Sequence, residues 1–295
     1  MSGIPADLET HLKSGITTLC RAWAITRSDG VTFGFTDHDM PLNFEGIDFK
    51  ADSGLTATAL AQSTGLSVDN AEAVGALSDA SISEADIEAG RFDGAQVLSW
   101  IVNWMDPSQK WLQFRGSIGE IRQGGGAFTA ELRGLTDTLN QPIGRVYQKP
   151  CTAVLGDTAC GVDLDQPGFS VDLLVEACSE NRVFTWQSDI DFEAGWFSRG
   201  RVIMRSGAAE GLWGAVKGDS LSSGIRRIEL WESIRAQVTP GDSVRLVAGC
   251  DKRWHTCRDK FANLLNFQGF PDIPGEDWLV AVPKSSGANT GGSRR

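Results

Sequence analysis

The stretch Ala22-Trp23-Ala24-Ile25-Thr26-Arg27-Ser28-Asp29-Gly30-Val31-Thr32-Phe33-Gly34-Phe35-Thr36 reads as two strands joined by a tight turn. Aromatic and β-branched side chains fill both arms, and Asp-Gly supplies the positive φ that hairpin turns need. Leu42–Phe49 repeats the pattern around Gly46, and Ile118–Arg122 faces Phe128–Arg133 across Gly124-Gly125-Gly126. Val97–Trp104 and Trp111–Arg115 flank the turn Asp106-Pro107-Ser108. Hairpins therefore set the fold class as mainly β with short helices (α+β).

Helical signals are few. Leu8, Leu12, Ile16 and Leu19 recur at helical spacing within residues 6–19. Ser83-Glu84-Ala85-Asp86-Ile87-Glu88-Ala89-Gly90 has a Ser N-cap, acids in its first turn and a Gly stop. One helical turn is expected over Leu135–Leu139 and another short helix near residue 260. The second half holds its own strand series at Val183–Gln187, Gly200–Met204, Ile225–Trp231 and Val244–Ala248.

Between residues 140 and 180, Gln141-Pro142, Lys149-Pro150 and Gln166-Pro167-Gly168 break the strand pattern. The expected organisation is a β-rich domain over 1–145, a connecting segment over 146–180, a β domain over 181–283 and a flexible tail over 284–295. The tail has no apolar residue larger than alanine.

The 295 residues carry 38 Asp and Glu against 27 Lys and Arg, a net charge of −11. A general binder of duplex DNA would instead present a basic stripe. No run approaches the ~18 apolar residues of a membrane span. The start of the chain lacks the basic and apolar regions of a signal peptide. Synthesis and folding in the cytoplasm are expected, with thiols kept reduced.

Six cysteines then read as buried thiols or metal ligands before they read as disulfides. Cys151 and Cys160 form one pair, Cys250 and Cys257 a second, each in a turn-rich stretch beside a strand end. Four thiolates from two loops match a Cys₄ zinc site or an iron–sulfur cluster. Neither pair has the short Cys-x₂₋₄-Cys spacing of zinc knuckles, so the longer loops favour [4Fe–4S] over zinc. Four unlinked buried thiols are the other reading. Cys20 and Cys178 sit in partly apolar surroundings without partners and read as core.

Remaining candidates read as structural. Asp37 and Asp39 fall on the opposite face from His38 if Thr36-Asp37-His38-Asp39 is extended, and Asx turns commonly follow strands. His255 lies two residues from Cys257 and lines its loop. The sequence has no Gly-x-Ser-x-Gly elbow, Walker loop or His-Glu-x-x-His, so no enzyme is expected. Trp254, Phe261, Phe267, Phe270 and Trp278, with Lys252, Arg253, Arg258 and Lys260 interleaved, fit a nucleic-acid platform or an aromatic core over the cysteine loop. The core is the preferred reading.

The run Gly249-Cys250-Asp251-Lys252-Arg253-Trp254-His255-Thr256-Cys257-Arg258-Asp259-Lys260-Phe261-Ala262-Asn263 continues into Asn266-Phe267-Gln268-Gly269-Phe270-Pro271-Asp272-Ile273-Pro274-Gly275-Glu276-Asp277. Both resemble the tail-tip hub proteins of gene transfer agents and related long-tailed, siphovirus-like phages. Phe35-Thr36-Asp37-His38-Asp39 and Glu84–Ala95 resemble the same family, so the likeness spans nearly the whole chain.

The resemblance implies a multi-domain baseplate hub with a cysteine-bound metal cluster. Its cofactor would be an iron–sulfur cluster on Cys151, Cys160, Cys250 and Cys257, with zinc as the alternative. It further implies a homotrimeric ring that DNA passes through without specific binding. The ring's partners would be a distal tail protein and a larger fibre-bearing protein. The competing reading is a soluble iron–sulfur or zinc metalloprotein with a redox or regulatory role.

Overall fold

In the computed structural model, the described residues are 3–51, 55–57, 70–76, 83–124, 127–134, 144, 146–187 and 190–273. The chain divides into two compact units, Met1–Ile143 and Gly144–Arg295.

The first unit opens with α1 (Ala6–Lys13). Ile16 and Leu19 fall outside it, because Gly15 takes a φ of 76° and turns the chain into β1 (Leu19–Thr26). β1 pairs with β2 (Thr32–Thr36) from Ala22↔Thr36 to Thr26↔Thr32. The turn is closed by the Asp29 carboxylate, which accepts from the Val31 N–H at 3.1 Å, and by Gly30 at φ 87°.

β3 (Leu42–Phe44) and β4 (Ile47–Lys50) meet across Glu45 and Gly46, both at positive φ. β4 then lies parallel to β2, in register Gly34↔Phe49. β5 (Leu55–Ala57), β6 (Asn70–Ala76), β7 (Gln96–Asn103), β8 (Lys110–Gly124) and β9 (Ala127–Gly134) complete a nine-stranded sheet of order β3-β4-β2-β1-β7-β8-β9-β6-β5. β8 is one strand where the sequence suggests two, and its register shifts against both neighbours mark where it bends.

Both sides of β1 are buried. Trp23 and Ile25 join Phe35, Val97 and Phe114 in one apolar cluster, while Ala22 and Ala24 join Phe44, Phe49 and Trp100 in another. The first cluster also takes Phe92, just beyond α2 (Glu84–Glu88). Ser83 caps that helix by accepting the Asp86 N–H at 3.1 Å.

The second unit is an antiparallel seven-stranded sheet of order β10-β16-β13-β14-β15-β12-β11. Its strands are β10 (Ser170–Leu174), β11 (Ala177–Ser179), β12 (Val183–Trp186), β13 (Arg201–Met204), β14 (Trp213–Ser222), β15 (Ile225–Leu230) and β16 (Ser243–Val247). β10 and β11 lie within the stretch 146–180 that the sequence suggests as a connector. One face packs Phe184, Trp186, Val202, Met204, Ile228 and Leu246 into the core.

Within that core Arg226 is fully buried. It holds the Asp219 carboxylate at 2.6 Å and donates to the carbonyls of Phe192 and Glu193, both at 2.8 Å. A fully bonded buried charge of this kind fixes the 190–197 loop against β14 and β15.

The mainly β reading stands, but its metal component is corrected. Among the described residues no group of three or more His, Cys, Asp or Glu is gathered so as to hold a metal ion. All six cysteines are free thiols. The observed architecture rests on its apolar cores and on polar locks such as Arg226–Asp219. Leu135–Leu139, Trp278 and the tail 284–295 lie outside the described residues. Among the described residues, no helix is long and apolar enough to cross a membrane.

Candidate functional site: a cysteine-lined cavity

The first cysteine loop is built by Asp157. Its carboxylate accepts from the Val154 N–H at 2.8 Å and from the Cys160 N–H at 2.6 Å, and these bonds hold its pKa below the usual carboxylate range. Gly156 and Gly161, both at positive φ, let the chain wrap tightly around that carboxylate.

The second loop leaves β16 through Gly249. A Cβ there would fall 1.7 Å from the Ser198 carbonyl oxygen, so only glycine fits. Cys250 follows directly, and Cys257 sits in α3 (Trp254–Asp259).

Several bonds join the two loops. The Cys151 N–H donates to the Lys252 carbonyl at 2.8 Å, and the Lys252 ammonium bonds the Ala153 carbonyl. Asn263 donates to the Cys160 carbonyl at 2.6 Å and reaches its Sγ at 3.8 Å. Cys151, Cys160, Cys250 and Cys257 thereby line one small cavity, with Phe261 and Phe267 among its walls.

The sulfurs already have polar neighbours. Cys151 Sγ accepts from the Gln268 N–H and Cys250 Sγ from the Lys252 N–H, each at 3.4 Å, while the Cys257 thiol donates to the Asn263 carbonyl at 3.2 Å. Burial pushes Cys257 up to about 11, with the other three thiols adding to the rise, and burial also raises Cys250. Burial brings the Lys260 ammonium down to about 8; it donates to the Trp196 and Gly249 carbonyls and lies 4.2 Å from the centre of the Trp196 ring.

The other sequence candidates separate from this cavity. Neither Cys20 nor Cys178 is among the residues lining it, and burial raises both thiols, Cys20 to about 11. Asp37 accepts the Arg21 N–H at 2.6 Å, and His38 bonds Met40 and stacks near Trp104, a turn and not an acid–base cluster. His255 packs edge-on to Trp254. Phe261 is buried against Phe169, which fits the core reading of the aromatic set, whereas Trp254 is partly exposed under Arg258. Sequence reasoning missed Asp157 and Asn263, the two side chains that shape the cavity. Only the Gly156-Asp157 turn could have pointed to the first.

Comparison with known proteins places this arrangement in a class. A family described as "Baseplate hub protein, N-terminal attachment domain" matches residues 5–163. A second, described as "Phage conserved hypothetical protein BR0599", matches residues 195–277. A chain in the solved structure "Virion of native gene transfer agent (GTA) particle" is 53% identical with a TM-score of 0.90, covering 98% of this chain and 99% of that one. A search of curated proteins gave no match. The chain belongs to the baseplate hub family of phages and gene transfer agents.

Proposed function

We propose that this chain is a structural, non-enzymatic hub at the tail tip of a phage-like particle. In this reading three copies form a ring that DNA passes through. The ring joins a distal tail protein to a larger fibre-bearing protein. The observation that carries it is the near end-to-end likeness to a chain of a gene transfer agent virion. Charge supports it as well. Residues 1–143 hold 19 Asp and Glu against 9 Lys and Arg, so the first unit carries most of the net negative charge and would repel a phosphate backbone. Particles from a strain lacking this chain should lack a tail tip under the electron microscope and deliver no DNA. Intact tips in such particles would reject the role.

The cofactor is part of the same proposal: an iron–sulfur cluster held by Cys151, Cys160, Cys250 and Cys257. The donor set supports it, since four free thiols rim one cavity and N–H groups already point at three sulfurs. A single zinc ion needs its thiolates within roughly 2.3 Å of one point. Zinc on the same four thiols is the alternative, and metal and sulfide content distinguishes the two. A bound cluster would cross-link loops from distant parts of the second unit. Protein purified without oxygen should contain iron and acid-labile sulfide, and should lose both in Cys160→Ser but not in Cys178→Ser. Iron-free wild-type protein would reject the cofactor and leave the hub role standing.

A further inference from the structure

The outer face of the second unit's sheet carries two large aromatic side chains in the open. Trp213 is 57% exposed and Trp231 62% exposed. Val216, Ile228 and Leu230 on the same strands point inward and are fully buried. Trp231 donates its N–H to the Ala215 carbonyl at 3.0 Å, which makes Trp213 its diagonal neighbour two residues along β14. Each indole is flanked by a cation: the Arg201 guanidinium lies 4.9 Å from the Trp213 ring centre, and the Lys217 ammonium 5.8 Å from that of Trp231.

The charge of this face differs from that of the chain. One carboxylate, Glu229, is shared by Arg182, Lys217 and Arg227 at 3.2, 2.8 and 3.0 Å. Two of those three positive charges are left over. Arg201 adds another, since among the described residues no carboxylate forms an ion pair with it. The face is therefore aromatic and cationic on a chain of net charge −11. Trp and Arg side by side are the composition of binding hot spots.

The complementary charge lies within the same sequence. Residues 144–295 carry 19 acidic against 18 basic residues, whereas residues 1–143 carry 19 against 9. We propose that the Trp213–Trp231 face docks on the acidic first unit of a second copy of this chain. A contact between two different surfaces is heterologous, and repeated around an axis it closes a ring. The inference deepens the ring reading above and rests on it.

The test uses the full-length chain in sedimentation velocity, with circular dichroism to check folding. Wild type is expected to self-associate, and raising salt from about 0.1 M to about 0.5 M should weaken the association as surface charges are screened. Trp213→Ser combined with Trp231→Ser should weaken it at least about tenfold. The double charge reversal Arg201→Glu with Arg227→Glu, which removes no core contact, should do the same. A wild-type chain that stays monomeric overturns the inference. So do folded variants that associate like wild type, even if they lose binding to a short DNA duplex used as the competing probe. Normal self-association of the variants with the chain still present in particles would remove this face and keep the hub role. Loss of self-association in the variants with the wild-type chain absent from particles would keep the face and remove the hub role.

Discussion

The nine-stranded sheet of the first unit buries apolar side chains on both of its faces, with Trp23 and Ile25 on one and Ala22 and Ala24 on the other. The seven-stranded sheet of the second unit buries one face and leaves Trp213 and Trp231 in the open on the other. Its loops are fastened by polar groups: Arg226 with Asp219, Asp157 within the first cysteine loop, and Asn263 between the two cysteine loops. The first unit is also far more acidic. The contrast separates two jobs. The strand layer buried on both sides is held mainly by hydrophobic packing, with the buried Arg27 paired to Asp29 and Asp86, whereas a unit that holds four thiols around a cavity must position its backbone through more directed bonds.

Arg226→Ala breaks the contrast most sharply. It strands the Asp219 carboxylate in a site that is 0% exposed, and losing one partner of a buried pair costs about 3–5 kcal/mol. Thermal unfolding followed by calorimetry should show the second unit melting early while the first unit's transition stays in place. Equal shifts in both would mean that the two units do not unfold separately.

A smaller effect sharpens the comparison from the other side. Burial raises the Cys20 thiol to about 11 in the folded first unit, above the ordinary value of 9.0. Between pH 9 and 11 the unfolded chain releases this proton before the folded one does, so folding stability is full below pH 9 and falls as the pH rises through that window. Denaturant melts at pH 8 and pH 10.5 should show the fall in wild type, and Cys20→Ala should reduce it. An unchanged slope in Cys20→Ala would mean that the thiol does not drive it.

Much of the first unit was legible in its sequence because its turns are chemically explicit. Asp29-Gly30 and Gly46 each specify a positive φ, and Ser83 specifies a helix start; each stands where expected. The helix expected over residues 6–19 ends at Lys13, since a periodic apolar pattern cannot reveal that Gly15 turns the chain. β14 gave no signal: its Gly, Lys, Asp and Ser break the alternation, and the register shift between Val216 and Gly218 breaks it further. Arg226 looked like any surface arginine, because nothing local distinguishes a buried guanidinium from an exposed one.

The cavity was half legible. Paired cysteines in turn-rich loops pointed to one place, and all four thiols line it. The sequence could not show which backbone N–H and carbonyl groups engage the sulfurs there. That depends on Asn263 and Gln268, which reach the cysteines from more than 100 positions away in sequence.

The hub role itself is tested most directly by counting copies in purified particles with quantitative mass spectrometry, using the major tail-tube protein as internal reference. A closed cyclic ring at the tip predicts a small fixed number, about three per particle. A count that rises with tube length to match the tube protein, or no copies at all, would contradict it.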